Sequence, residues 1–178
     1  MGKLIASTQA TLDGVIDPVG EWVQPDGDHG EYSLERQGRS AGMVLGRKTY
    51  EGLAQYWPDQ TGSWADMVNA MPKWVGSNSL SEDGQLEWNA TLLEGELEDS
   101  IPALKEEVDG DLYMHGSGEF AHALATKGLI DELEIYLNPL VWGEGNLHVL
   151  GDRGTIRFEL GDMRRFDSGV VLLTYHPA

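Results

Sequence analysis

The chain predicts an α/β fold: a mostly parallel mixed sheet flanked by helices, with a C-terminal antiparallel hairpin. Three observations carry that expectation. Short apolar runs of strand length alternate with stretches of helical periodicity, the pattern of strand, crossover helix and strand. Two of the strand-to-helix junctions, Leu45-Gly46-Arg47-Lys48 and His115-Gly116-Ser117-Gly118, break at glycine. The tail carries two strand candidates, Thr155 to Gly161 and Gly169 to His176, that face each other across the turn sequence Asp167-Ser168-Gly169. The 178 residues are enough for one domain with a sizeable core, and no stretch reads as a linker, so one domain over 1–178 is expected.

Taken in order, Lys3 to Thr8 reads as a buried strand. Leu12 to His29 follows as a Gly/Pro/Asp-rich loop, long for a compact domain, whose apolar Val15, Ile16, Trp22 and Val23 want cover; a lid over a ligand accounts for both properties. Glu31 to Arg39 is a short helix, Met43 to Leu45 a strand, and Lys48 to Gln55 a helix that ends before Trp57-Pro58. Lys73 to Gly76 is a third strand after Pro72, with Ser77-Asn78-Ser79 as a polar turn. Leu86 to Leu93 reads as strand. Leu97 to Val108 places Leu97, Ile101, Leu104 and Val108 at helical spacing, and Pro102, best tolerated in a first turn, moves the expected start to Ser100 as N-cap. Leu112 to Met114 is a strand, Glu119 to Thr126 a helix closed by Lys127-Gly128, and Glu132 to Leu137 another strand.

Composition narrows the partners. A net charge of -18 repels nucleic acid and anionic membrane, both of which are bound chiefly through basic patches. There is no cysteine, hence no disulfide and no thiolate chemistry. The opening Met1-Gly2-Lys3-Leu4-Ile5 is too short an apolar run for a signal peptide and no later run reaches spanning length, so a cytoplasmic protein is expected. His29, His115, His122, His148 and His176 form no close i, i+4 pair, and no metal site is expected. No GxSxG occurs, which removes the usual serine-hydrolase reading.

The two glycine junctions carry the chemistry. Small residues let backbone approach an anion, and the free N–H groups of a helix's first turn point at it. A tight strand-to-helix turn is the plain alternative for either motif. Arg47 offers a planar fork and Lys48 a point charge at the start of a helix, where an ordinary exposed pair is the alternative. In parallel sheets ligands bind at the carboxyl ends of the strands. Both motifs fall there, as does Ser77-Asn78, with a hydroxyl and an amide suited to phosphate, ribose or an adenine edge.

Val44-Leu45-Gly46-Arg47-Lys48-Thr49-Tyr50, His115-Gly116-Ser117-Gly118, and the block from Leu124 to Gly145, LATKGLIDELEIYLNPLVWGEG, resemble the dihydrofolate reductase-like superfamily. The chain is more similar still to stand-alone members of the family of riboflavin-biosynthesis reductase C-terminal domains. The resemblance spans nearly the whole chain and implies NADPH as hydride donor. By position it implies that Ala6 and Ile16 flank the nicotinamide, that Arg47, Lys48 and Thr49 receive the adenosine 2'-phosphate, and that Gly46 belongs to the cofactor site. Ser77 and Asn78 would lie along the adenine ribose, and Gly116, Ser117, Gly118 and Glu119 would form the pyrophosphate turn. It also implies a homodimer, for which Leu133, Ile135, Leu137, Leu140, Val141 and Trp142 offer apolar surface.

Reduction needs a proton as well as a hydride. Folate-type relatives place a carboxylate on the first helix, and Asp28 and Glu31 flank the corresponding point, with a solvated surface role as the alternative. Trp22 is placed to wall a substrate site or to join the core, and Leu53 and His115 would border the same space. His115 is either a proton donor near neutral pH or a packed, hydrogen-bonded imidazole. The expected activity is NADPH-dependent reduction of a pteridine, pyrimidine or related small heterocycle, within the resemblance 5-amino-6-(5-phosphoribosylamino)uracil reductase-like. The alternatives are an NADPH-binding module without turnover, or a reductase of another carbonyl or flavin-like compound.

Overall fold

The computed structural model describes residues 2–78, 86–116, 118–145, 149–150 and 154–178. Ser117 and the turn residue Ser79 therefore lie outside the described residues. Eight strands form one sheet: β1 (Leu4–Thr11), β2 (Gly42–Gly46), β3 (Lys73–Gly76), β4 (Ala90–Leu92), β5 (Leu112–His115), β6 (Glu132–Asn138), β7 (Phe158–Arg165) and β8 (Val171–Pro177), in the order β4-β3-β2-β5-β1-β6-β8-β7. β1 to β6 are mutually parallel, while β8 runs antiparallel to both β6 and β7. The α/β sheet with its closing hairpin is thus the one the alternating pattern predicts.

Among the described residues six α-helices accompany the sheet, α1 (Val19–Trp22), α2 (Asp28–Gly38), α3 (Arg47–Tyr56), α4 (Ser63–Ala70), α5 (Leu97–Glu107) and α6 (Glu119–Thr126), with one 3-10 turn at Trp57–Asp59. One face of the sheet is a continuous apolar core in which Leu4, Ala6, Val44, Leu112, Met114 and Leu133 meet Ile101 and Leu104 of α5 and Ala121 and Leu124 of α6. Leu133 is 4% exposed in that core, so it leaves the set of surface residues expected to support a dimer. The opposite face is divided. Met43, Leu45, Tyr50, Val68 and Val75 form one apolar cluster and Tyr136, Phe166, Val170 and Leu172 another.

Between those clusters runs a polar strip. Strand alternation puts Glu132, Glu134 and Tyr136 on one side of β6, and β1 and β5 bring Ser7 and Tyr113 to the same side. Arg36 of α2 reaches down to both acids, at 2.6 Å from Glu132 and 3.0 Å from Glu134. Buried carboxylates are tolerated there because each is paired and hydrogen-bonded.

Six local expectations are corrected. The loop from Leu12 to His29 contains the short α1, β1 runs on to Thr11, and α2 begins at Asp28. α4 occupies a stretch to which the sequence assigned no element. α5 starts at Leu97 with Glu96 as N-cap, so Pro102 sits inside the helix. Asp99 and Ser100 both donate to the Glu96 carbonyl, and Leu97 packs on the core, gains set against the one bond that the half-buried Pro102 cannot make. The strand expected from Leu86 shrinks to Ala90–Leu92, because Trp88 and Asn89 take left-handed backbone (φ 59° and 53°) and turn the Trp88 indole onto Asn69 at 2.6 Å.

Candidate active site

Two clefts open where the parallel strands end, of about 560 Å³ and about 580 Å³. They share Asp17, Lys48, Thr49, His115, Gly116 and Gly118, so they are two halves of one groove meeting along that boundary.

The first cleft gathers positive charge. Arg47 and Glu119 are the first residues of α3 and α6, and neither helix has a side-chain cap at its N-terminus. Their first-turn N–H groups are therefore without intrahelical acceptors and carry the positive end of each helix dipole to the cleft. Arg47 and Lys48 line it too; Arg47 leans toward Glu51 at 3.5 Å, a half-exposed pair that a ligand's phosphate would outcompete easily. Gly116 has φ +98°, a conformation that side-chain-bearing residues rarely adopt, and it turns the chain from β5 toward α6. Ser77, Asn78, Gly46 and the exposed Glu119 also line this cleft.

Gly46 and its partner Gly76 on β3 owe their identity to packing. A Cβ on Gly46 would stand 2.8 Å from Phe120 Cβ, and one on Gly76 would stand 2.2 Å from Phe120 Cε2. The aromatic ring of α6 lies across two bare strand ends and brings the helix N-terminus into line with the cleft.

The second cleft is mostly apolar. Ser7, Thr8 and Gln9 in the middle of β1 give it a polar edge, while Met43, Leu53, Trp57, Trp64 and Val68 form the walls and Ile16 and Val19 close it from the loop. Trp64 and Val68 come from α4. Their spacing with Met71, i, i+4, i+7, was the helical signal available in the sequence.

At the boundary, Asp17 stands on a loop held from behind. The Asp13 carboxylate takes hydrogen bonds from Thr11 Oγ1 at 2.6 Å, Gly143 N at 2.8 Å and Trp142 N at 3.2 Å. The Thr11 hydroxyl and then the Gly143 N–H hold its pKa down to about 2. Burial pushes the His115 imidazole down to about 4. At neutral pH it is an uncharged hydrogen-bonding ring beside Tyr113, without an imidazolium proton to give.

Four residues named from the sequence line neither cleft. Ala6 is 1% exposed in the core beneath α6. Trp22 is buried on α1, and Trp57 and Trp64 stand where it was expected to wall a substrate. Asp28 caps the hairpin turn instead: its carboxylate accepts from Asp167 N at 2.7 Å and Ser168 N at 3.3 Å, bonds that lower its pKa. Glu31, in the first turn of α2, is exposed. Among the described residues, no three His, Cys, Asp or Glu side chains gather in a way that would hold a metal, and no helix is long and apolar enough to cross a membrane.

Residues 2–172 match the family model described as RibD C-terminal domain. The uncharacterized protein YyaP of Bacillus subtilis strain 168 is 25% identical over 182 residues, covering 98% of this chain and 94% of that protein. A pyrimidine reductase-like protein of Corynebacterium diphtheriae superposes with a TM-score of 0.69 at 14% identity, over 99% of this chain and 92% of that one. The dihydrofolate reductase of Enterococcus faecalis, solved with NADP(H), does so with a TM-score of 0.63 at 19% identity, over 99% and 96%. At these identities the two structures share the fold of this chain.

Proposed function

The chain belongs to the RibD C-terminal domain family, and from that membership we propose that it is an NADPH-dependent oxidoreductase reducing a pteridine, pyrimidine or related small heterocycle. The observation that carries the reading is the joined groove: a cationic half fit for a phosphorylated cofactor and an aromatic half fit for a flat ring, meeting at one boundary.

The residues present suit the cofactor. Two uncapped helix N-termini and the Gly116 turn provide N–H groups for a pyrophosphate, and Arg47, Lys48 and Thr49 would take a 2'-phosphate, which favours NADPH over NADH. Ser77 and Asn78 would serve the adenosine end and Ile16 the nicotinamide end. Glu119, beside the pyrophosphate turn, would direct its carboxylate to solvent or a ribose hydroxyl. When bound, NADPH supplies the hydride.

The chain's own residues then have two tasks. Thr49, Gly116 and Gly118 border both halves and hold the reactants against one another; positioning of this kind lowers a barrier by removing translational freedom. Asp17, the carboxylate common to both halves, takes the part that sequence assigned to Asp28 or Glu31: it accepts an N–H of the substrate or holds the water that delivers the proton. His115 contributes a neutral hydrogen bond. A homodimer through the outer sheet face fits Leu160 and Met163, 56% and 63% exposed on β7.

Calorimetric titration with NADPH and NADH, of the wild type and of Arg47→Ala plus Lys48→Ala, tests the cofactor. Selective NADPH binding that the double variant loses is the expected result, and absence of binding to either nucleotide overturns the assignment. Loss of reduced-nicotinamide absorbance against a panel of heterocycles then separates a reductase from a module that binds NADPH without turnover.

A further inference from the structure

We propose that the second cleft takes an unphosphorylated planar heterocycle, a free base or a compound with an uncharged substituent, and that it discriminates against phosphoribosylated substrates. The inference rests on the oxidoreductase reading above and narrows its substrate.

Phosphate recognition needs cations or a fan of N–H groups, and the molecule concentrates both in the first cleft. There Arg47, Lys48 and the N-termini of α3 and α6 face one volume. Among the described residues lining the second cleft, the titratable side chains are Asp17, Lys48 and His115, all on the shared boundary. Lys48 lines both halves, and in the oxidoreductase reading above its charge is taken up by the 2'-phosphate. His115 is neutral at working pH, and Asp17 repels a phosphate. Beyond the boundary the walls are Leu53, Trp57, Trp64 and Val68, which reward a flat apolar ring face with stacking and cost a dianion its hydration. The field of the whole chain, at -18, adds to that cost. Ser7, Thr8 and Gln9 provide hydroxyl and amide groups for the edge of such a ring. A volume of about 580 Å³ is in the ordinary range for a small-molecule site.

The test is calorimetric binding of matched probes, in the presence and absence of NADPH: 5,6-diaminouracil against 5-amino-6-(5-phosphoribosylamino)uracil, and pterin as a bicyclic ring. The expected result is that at least one unphosphorylated probe binds tenfold or more tighter than the phosphoribosylated one. Trp64→Ala should weaken it about tenfold, and Leu53→Lys, which puts a cation among the apolar walls, should improve the phosphoribosylated compound relative to wild type. Equal or tighter binding of the phosphoribosylated compound by the wild type overturns the inference, as does failure of all three probes to bind. The two readings fail separately: loss of the oxidoreductase assignment shows in the NADPH titration, whereas the probe preference is read also on the protein without nucleotide.

Discussion

The Tyr113 hydroxyl donates a 2.6 Å hydrogen bond to Glu134 in the middle of the sheet, where the two residues are 0% and 1% exposed. Glu134 is held from the other side by Arg36, which also pairs with Glu132, and Glu132 is reached by Lys3 at 3.2 Å. Burial is the main reason the Tyr113 phenol is pushed well up, followed by the charge of Glu134. The strip therefore depends on Arg36, among the described residues the one cation in contact with both acids. Arg36→Ala is expected to destabilise by about 3 kcal/mol, since it leaves a buried carboxylate without its counter-charge. Tyr113→Phe should cost about 1–2 kcal/mol, because Glu134 keeps Arg36. Urea unfolding measures both, and a smaller loss for Arg36→Ala than for Tyr113→Phe contradicts this ranking.

Asp13 ties the loop bearing Asp17 to the segment after β6. Its folded pKa of about 2 lies below the usual value of 3.8, so its stabilising contribution is full above about pH 4 and is lost as pH falls through 2. The urea midpoint of Asp13→Ala should lie below that of wild type at pH 6, and the gap should close on approaching pH 2. A gap that is constant over this range would mean the carboxylate's charge is not what holds the loop.

Lys73 is 1% exposed, donates to the Met71 carbonyl at 2.6 Å and lies 4.1 Å from the Trp88 ring centroid. Burial depresses its pKa from 10.5 to about 8. Between those values the unfolded chain binds the proton that the folded chain has released, so stability rises with pH. Wild type should gain on the order of 2 kcal/mol relative to Lys73→Met between pH 8 and 10. Above pH 10 the buried phenols of Tyr113 and Tyr136, both pushed up, work in the opposite direction.

The sheet and the lining of the first cleft were legible because their signals are local: an apolar run, a glycine and a helix start within a few residues, as at Leu45-Gly46-Arg47 and His115-Gly116. The second cleft was not, since its walls are tertiary. Trp22, Trp57 and Trp64 look equivalent in sequence, yet in the fold the first is buried on α1 while the other two line the cleft. The bonds of Asp28 were hidden for the same reason, its partners Asp167 and Ser168 lying 139 and 140 residues away. The reading of Gly46 as room for a phosphate missed a neighbour: Phe120 occupies the space a side chain would need.

That neighbour makes a test of its own. Gly76→Ala would place a methyl 2.2 Å from the Phe120 ring, so either the ring or the start of α6 must move. The substitution should destabilise by about 1–3 kcal/mol and weaken NADPH, because α6 would no longer bring its N-terminus to the cleft. Adding Phe120→Ala should recover part of the NADPH affinity lost by Gly76→Ala, although alone it leaves a cavity. Strictly additive losses would show that the two residues do not act through one contact.

Asp17 is the carboxylate that both halves of the groove share, and its variant separates binding from chemistry. Asp17→Asn keeps the size of the side chain and its place on the anchored loop, but removes its negative charge. NADPH is itself anionic, so its affinity should be unchanged or somewhat higher. If Asp17 carries or orients the proton, kcat should fall about a hundredfold or more while KM changes little. An exposed acid with no part in the reaction would leave kcat as it is, and Asp28 or Glu31 would then have to act from outside both clefts, which the bonds of Asp28 to the hairpin turn oppose.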